Sequence, residues 1–349
     1  MESININLPE DVKKIIRTIE KNGFEAYAVG GCVRDSILGR EPDDWDITTS
    51  ARPEQVKSFF KKTIDTGIKH GTVTVMINHV GYEVTTYRID GEYKDGRHPE
   101  SVEFSAKLVD DLKRRDFTIN AMAYNESHGF VDEFNGISDL NNKVIRCVGD
   151  SVERFSEDAL RMMRAIRFSA QLGFEIEQST YNAIVKLAPS IKQVSMERVQ
   201  VEFLKTILSD NPNYIMEYHK TGLLKENLQY MDELLAGKYA KNVVAMLKYS
   251  KNNTIQRYSA VFNMGEPDKV KAELKALKLD NYTIDTVTKL VKYSKDTIDE
   301  NEPAVREAVH KYGKDMLPLM FDNEEARIRT KEEIVGISLK GQRLHLAVI

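Results

Sequence analysis

Two cysteines in 349 residues, Cys32 and Cys147, are too few for a disulfide scaffold and predict buried, unpaired thiols. No hydrophobic run approaches the length of a membrane span. The start, Met-Glu-Ser-Ile-Asn-Ile-Asn, lacks the basic and apolar regions of a signal peptide, so the expectation is a cytoplasmic protein without a membrane partner. A formal charge of -4 shows no basic excess, which argues against wholesale coating of nucleic acid and leaves local basic faces open. His70, His79 and His98 have no ligand spacing, which argues against a zinc site. There is no Pro-rich or Gly/Ser-rich linker, clean internal repeat or low-complexity segment.

Against that background, the run from Gly30 to Asp46 is dense in chemistry: Gly-Gly-Cys-Val-Arg-Asp-Ser-Ile-Leu-Gly-Arg-Glu-Pro-Asp-Asp-Trp-Asp. If Trp45 and Ile47 lie on a strand, Asp44 and Asp46 project to one face, because successive strand side chains alternate. Two hard carboxylates on one face are the minimum that Mg²⁺ needs beside phosphate oxygens and water. Gly30 and Gly31 follow Tyr27-Ala28-Val29, which reads as a short buried strand, and without Cβ atoms their N–H groups can approach phosphate closely. Arg34 adds a planar cationic fork for phosphate oxygens. Either motif alone is more often a turn or a solvated edge, and it is their joint occurrence that carries the reading.

A second cluster is Arg114-Arg115-Asp116-Phe117-Thr118-Ile119-Asn120-Ala121, where two cationic groups stand at the edge of an apolar segment. Asp116 and Asn120 fit two roles, bonding ribose hydroxyls or pinning the arginine forks. An exposed basic helix start explains the same residues equally well.

In the third, Asp158, Arg161, Arg164 and Arg167 recur every three residues opposite Leu160, Met163 and Ile166. Cytosine and adenine both offer a ring-nitrogen acceptor beside an amine donor, whereas guanine and uracil present the opposite sense. An Asp/Arg pair therefore suits C and A and rejects G and U without a template. The alternative is an ion-paired helix face with Glu157 and Asp158 as internal partners.

Together these segments resemble the class II tRNA nucleotidyltransferase family, which contains the CCA-adding enzymes and the bacterial poly(A) polymerases; Ser195 to Phe203 resembles a further motif of that family. The resemblance spans roughly residues 24–205. It implies an α+β N-terminal nucleotidyltransferase head, a small mixed sheet with helices, over residues 1–140. An all-α neck (141–207), body (208–275) and apparently short tail (276–349) would follow. It further implies that Asp44 and Asp46 are catalytic and bind Mg²⁺, and that Gly31, Arg34 and Arg115 contact the nucleotide near its phosphates. Asp158 and Arg161 would present the base-reading edge, with Arg164 and Arg167 completing the nucleotide pocket. The partners would be CTP, ATP and the acceptor arm and 3′ end of tRNA, and the reaction template-independent CCA addition with release of pyrophosphate. Tyr87 to Pro99 resembles the loop that enzymes adding the terminal A carry, and Glu83 is a candidate either for a third carboxylate at the metal or for orienting an arginine. The competing readings are an A-adding enzyme that works with a separate CC-adding one, a poly(A) polymerase, and a catalytically silent RNA-binding protein.

Overall fold

The computed structural model describes residues 4–91, 101–294, 296, 298 and 301–335. The central part of the loop expected at Tyr87 to Pro99, and the segment from Gly336 onward, lie outside the described residues. The chain divides into two compact units, Met1–Arg161 with Phe174–Ala183, and Met162–Gly173 with Ile184–Ile349.

The first unit is α+β. Its strands are β1 (Ala26–Val29), β2 (Ile47–Thr49), β3 (Thr63–Gly67), β4 (Thr72–Ile77), β5 (Val80–Thr86), β6 (Arg88–Asp90), β7 (Val102–Phe104), β8 (Met122–Asn125) and β9 (Gly129–Asp132). Seven of them form one mixed sheet in the order β3-β4-β5-β2-β1-β8-β9, in which only β2 and β5 run parallel. All four residues of β1 are buried, as an apolar strand flanked on both edges requires. Tyr27 and Val29 pack with Tyr87, Leu112, Ala121, Ala123 and Val148 in one core cluster.

The apolar period from Pro9 to Asn22 predicts a helix, and α1 (Glu10–Lys21) is there, burying the stripe Val12, Ile15, Ile16 and Ile19. Helix α2 (Gly31–Ile37) follows β1 through Gly30; the sequence from Pro53 to Lys62 reads as helical, but α3 (Pro53–Phe59) ends earlier because Phe60 is already extended on the way into β3. The run from Tyr82 to Arg88 reads as one strand in sequence but divides at the buried Tyr87 into β5 and β6. Helices α4 (Leu108–Lys113), α5 (Gly136–Asn141) and α6 (Ser151–Glu157) complete the helices up to Glu157. From Ser151 onward the sequence has helical periodicity almost throughout, and among the described residues β11 (Glu175–Ile176) interrupts it: it pairs in parallel with β10 (Val144–Ile145), and residues 174–183 belong to the first unit.

The described part of the second unit is helical. It holds most of α7 (Leu160–Leu172), the end of α8 (Gln178–Leu187), and α9 (Met196–Ile207) through α17 (Met316–Val335). Phe203 packs its ring 5.7 Å from Tyr218 and 6.2 Å from Tyr258, all three fully buried. A second cluster joins Leu290, Ala308, Leu317 and Phe321. Asn253, Asp280 and Asn301 each cap a helix by accepting a hydrogen bond from a first-turn N–H. Among the described residues no helix is long and apolar enough to cross a membrane.

Candidate active site

Asp44 and Asp46 do not lie on a strand, as side-chain alternation would require; β2 begins at Ile47, one residue later. The main chain at Asp46 is nonetheless fixed to the sheet, because its carbonyl accepts the Val29 N–H at 3.0 Å. That bond sets Asp46 beside the turn at Gly30, whose N–H donates to the Met122 carbonyl at 3.2 Å. Gly30 has φ of +86°, and a Cβ there would stand 2.8 Å from Nη1 of Arg115. The backbone conformation demands glycine, and a side chain there would also have to displace the end of Arg115. At Gly31 a Cβ would meet only ordinary contact, with Nη2 of Arg34 at 3.7 Å.

Burial pushes the Asp46 carboxyl up to about 6, the negative charges of Asp44 and Glu83 push the same way, and the Arg115 guanidinium opposes them. The strand residue Glu83 is thus close enough to be felt, although among the described residues no three His, Cys, Asp or Glu side chains cluster so as to hold a metal. Two hard oxygen donors whose mutual repulsion a divalent cation would relieve suit Mg²⁺ bound largely by substrate oxygens and water.

Arg34 is buried and held on two sides. Its Nε and Nη2 donate to Asp35 at 2.9 and 2.8 Å, while Nη1 donates to Oδ1 of Asn120 at 2.7 Å. Asn120 in turn donates to Asp116 at 3.1 Å, and Asp116 accepts the Phe117 N–H at 2.9 Å. Of the two roles open to Asp116 and Asn120, the structure shows Asn120 pinning an arginine fork, that of Arg34.

Arg114 and Arg115 follow the end of α4, so they do not open a basic helix. Both reach back to Asp111, a fully buried carboxylate: Arg114 at 2.6 and 2.9 Å, and Arg115 at 3.3 Å. Burial alone would raise the Asp111 carboxyl, but the two guanidiniums more than offset it and leave it lowered. Nε of Arg115 is buried without a hydrogen-bond partner, a donor in want of an acceptor.

Asp158 interrupts the expected three-residue ladder. It lies between α6 and α7 with extended dihedrals (φ -145°, ψ 104°), and its Oδ1 accepts the Leu160 N–H at 3.0 Å. An aspartate here competes with the helix for backbone donors and ends it. Arg161 donates to Glu157 and to the carbonyls of Arg154 and Arg114, the last two at 3.2 Å. Gly31, Arg34, Asp44, Asp46, Arg115, Asp158 and Arg161 all belong to the first unit.

Arg164 and Arg167 belong to the second unit and are paired there. Arg167 is buried, donates from Nε to Glu202 at 2.5 Å and from Nη1 to Gln171 at 2.7 Å, and lies 4.0 Å from the Phe168 ring. Arg164 stands 3.9 Å from the other Glu202 oxygen. Of the residues that hold these arginines, Asp111 is not singled out in sequence, and Glu202 only as part of a motif, without a role. A signal existed for Asp111, which precedes Arg114 and Arg115 by the three and four residues that align side chains on a helix. Glu202 lies in the segment from Ser195 to Phe203 that resembles a family motif, but its pairing with Arg167, 35 positions away, has no local signal.

Residues 26–146 match the family described as "Poly A polymerase head domain", and residues 173–235 the one described as "Probable RNA and SrmB- binding site of polymerase A". A CCA-adding enzyme of Streptococcus suis is 40% identical over 333 residues, 92% of this chain and 80% of the relative. CCA-adding enzymes of Ligilactobacillus salivarius and Leuconostoc mesenteroides are 45% and 52% identical over 75% and 59% of this chain, which spans 66% and 52% of their lengths. Among solved structures, the CCA-adding enzyme of Bacillus stearothermophilus in complex with CTP has a TM-score of 0.74 and 33% identity, with 93% of this chain and 78% of that one covered. On these likenesses, together with the two-aspartate site beside a glycine turn and buried arginine forks, the chain belongs to the family of CCA-adding enzymes and bacterial poly(A) polymerases.

Proposed function

We propose that this chain adds CCA to the 3′ end of tRNA from CTP and ATP without a nucleic-acid template. The observation that carries the reading is the convergence, in one unit, of the carboxylates of Asp44 and Asp46 with the forks of Arg34 and Arg115 around a turn that only glycine fits. The 3′ hydroxyl of tRNA attacks the α-phosphate of the nucleotide, and pyrophosphate leaves. Arg34 and Arg115 bind the triphosphate, with the turn at Gly30 and Gly31 giving it room to approach the main chain. Asp44 and Asp46 would hold Mg²⁺, which supplies activation of the attacking oxygen and neutralisation of the leaving group. Arg161, anchored by Glu157 and two carbonyls, and Asp158 present the donor and acceptor that C and A share. Pre-organised positioning supplies much of the remaining acceleration.

Likeness to a CCA-adding enzyme over 92% of the chain favours this reading over A addition alone or poly(A) synthesis. The test is incubation with tRNA transcripts ending before CCA, after C and after CC, with each labelled nucleotide in turn. CCA addition predicts C on the first two and A on the third. A alone on the third would make it an A-adding enzyme, and long A tracts on any RNA a poly(A) polymerase.

A further inference from the structure

We propose that Asp111 is the positioning residue that sets the Arg115 fork at the nucleotide's phosphates. The inference rests on the reading of Arg115 as a phosphate contact. Asp111 sits on α4 with no solvent exposure and divides its two oxygens between tasks. Oδ1 takes both bonds from Arg114, at 2.6 and 2.9 Å. Oδ2 takes Arg115 at 3.3 Å and the hydroxyl of Thr48 at 3.1 Å. Thr48 lies in β2, two residues beyond Asp46, so one carboxylate ties the strand that follows the aspartate pair to the arginine that faces it. The result is visible at Gly30, where Nη1 of Arg115 occupies the space of a missing side chain.

A buried carboxylate with four donors leaves Arg115 little rotational freedom, and a planar fork held at one nitrogen is aimed at its others. With Nη2 held on Asp111, Nη1 stands against Gly30, and the charge of the guanidinium is felt at Asp46, so the fork lies beside the aspartate pair. Arg114, held by the same carboxylate and 3.9 Å from Asp90, offers its own carbonyl to Arg161.

The test is a double-mutant cycle on the full chain, with CTP and ATP affinity measured calorimetrically in the presence of Mg²⁺. Asp111→Asn and Arg115→Gln should each weaken both nucleotides about tenfold, as expected for displacement of one charge-assisted contact. The double variant should be no more than about twofold weaker than Arg115→Gln, because Asp111 acts through Arg115. Preference for C and A over U and G should stay as in wild type, which a general distortion of the first unit would not allow. Independent losses that multiply to about a hundredfold, or wild-type affinity in Asp111→Asn, would overturn the inference. Wild-type affinity in Arg115→Gln would instead remove the reading of Arg115 on which it rests. If Asp111→Asn does not fold, Arg115→Lys decides: it keeps the charge and loses the fork, so it should bind like Arg115→Gln, and wild-type affinity there would show that no aimed fork is needed.

Discussion

Replacing Asp46 with Asn should make the metal-free protein more stable while removing the nucleotide transfer proposed above. The Asp46 carboxyl is pushed up from 3.8 to about 6, first by burial and then by the charge of Asp44. Each tenfold change in proton affinity corresponds to about 1.4 kcal/mol, so ionised Asp46 costs the folded state at most about 3 kcal/mol; solvent screening at this half-buried site brings the expectation to about 1–3 kcal/mol. Below the unfolded value both states carry the proton and the two proteins should be equally stable. As pH rises from about 4 to 6 the unfolded chain loses its proton while the folded one keeps it, so wild-type stability falls relative to the variant. Above the folded value the gap is constant. Urea unfolding in a chelator, at pH values from 4 to 8, measures this directly, and Trp45, the single tryptophan, reports from between the two aspartates. Added Mg²⁺ should close the gap by stabilising only wild type. A variant equally stable at every pH, or less stable at pH 8, would refute the claim that ionised Asp46, buried beside Asp44, destabilises the metal-free fold.

Single-turnover incorporation of all four nucleotides by Asp158→Ala and Arg161→Ala should show selectivity for C and A reduced roughly ten- to a hundredfold, since each misplaced polar contact costs on the order of 1–3 kcal/mol; uniform slowing with unchanged preference would count against base reading. Asn120→Ala removes the acceptor held 2.7 Å from buried Arg34, and should lower stability by about 1–3 kcal/mol in urea titrations while weakening CTP. Unchanged CTP affinity there would show that Arg34 needs no brace. Burial pushes the thiols of Cys32 and Cys147 up to about 12, so at pH 8 only about one in ten thousand is ionised and native protein should resist alkylation by iodoacetamide; rapid labelling seen by mass spectrometry would contradict their placement.

What could be read along the chain was whatever depends on near neighbours. The stripe of α1, the buried run of β1 and the turn at Gly30 follow from local periodicity and backbone freedom. So did the two aspartates as a pair, although strand alternation is not what places them. They precede the strand, and what fixes Asp46 is a hydrogen bond to Val29, seventeen residues earlier.

The arginine ladder shows the limit most clearly. A three-residue period predicts one polar helix face, yet Asp158 ends one helix by accepting a backbone N–H of the next, and Arg167 is buried on Glu202. Which acid holds which guanidinium is decided by elements that meet only in the folded chain, as Arg34 meets Asn120 across 86 residues. The sequence by itself determined the chemistry available: hard carboxylates, phosphate-binding forks and a glycine turn. Only tertiary structure decided how those groups are aimed, because a guanidinium's direction depends on buried acceptors such as Asp111 and Asn120, and a carboxylate's proton affinity on the burial and charges around it.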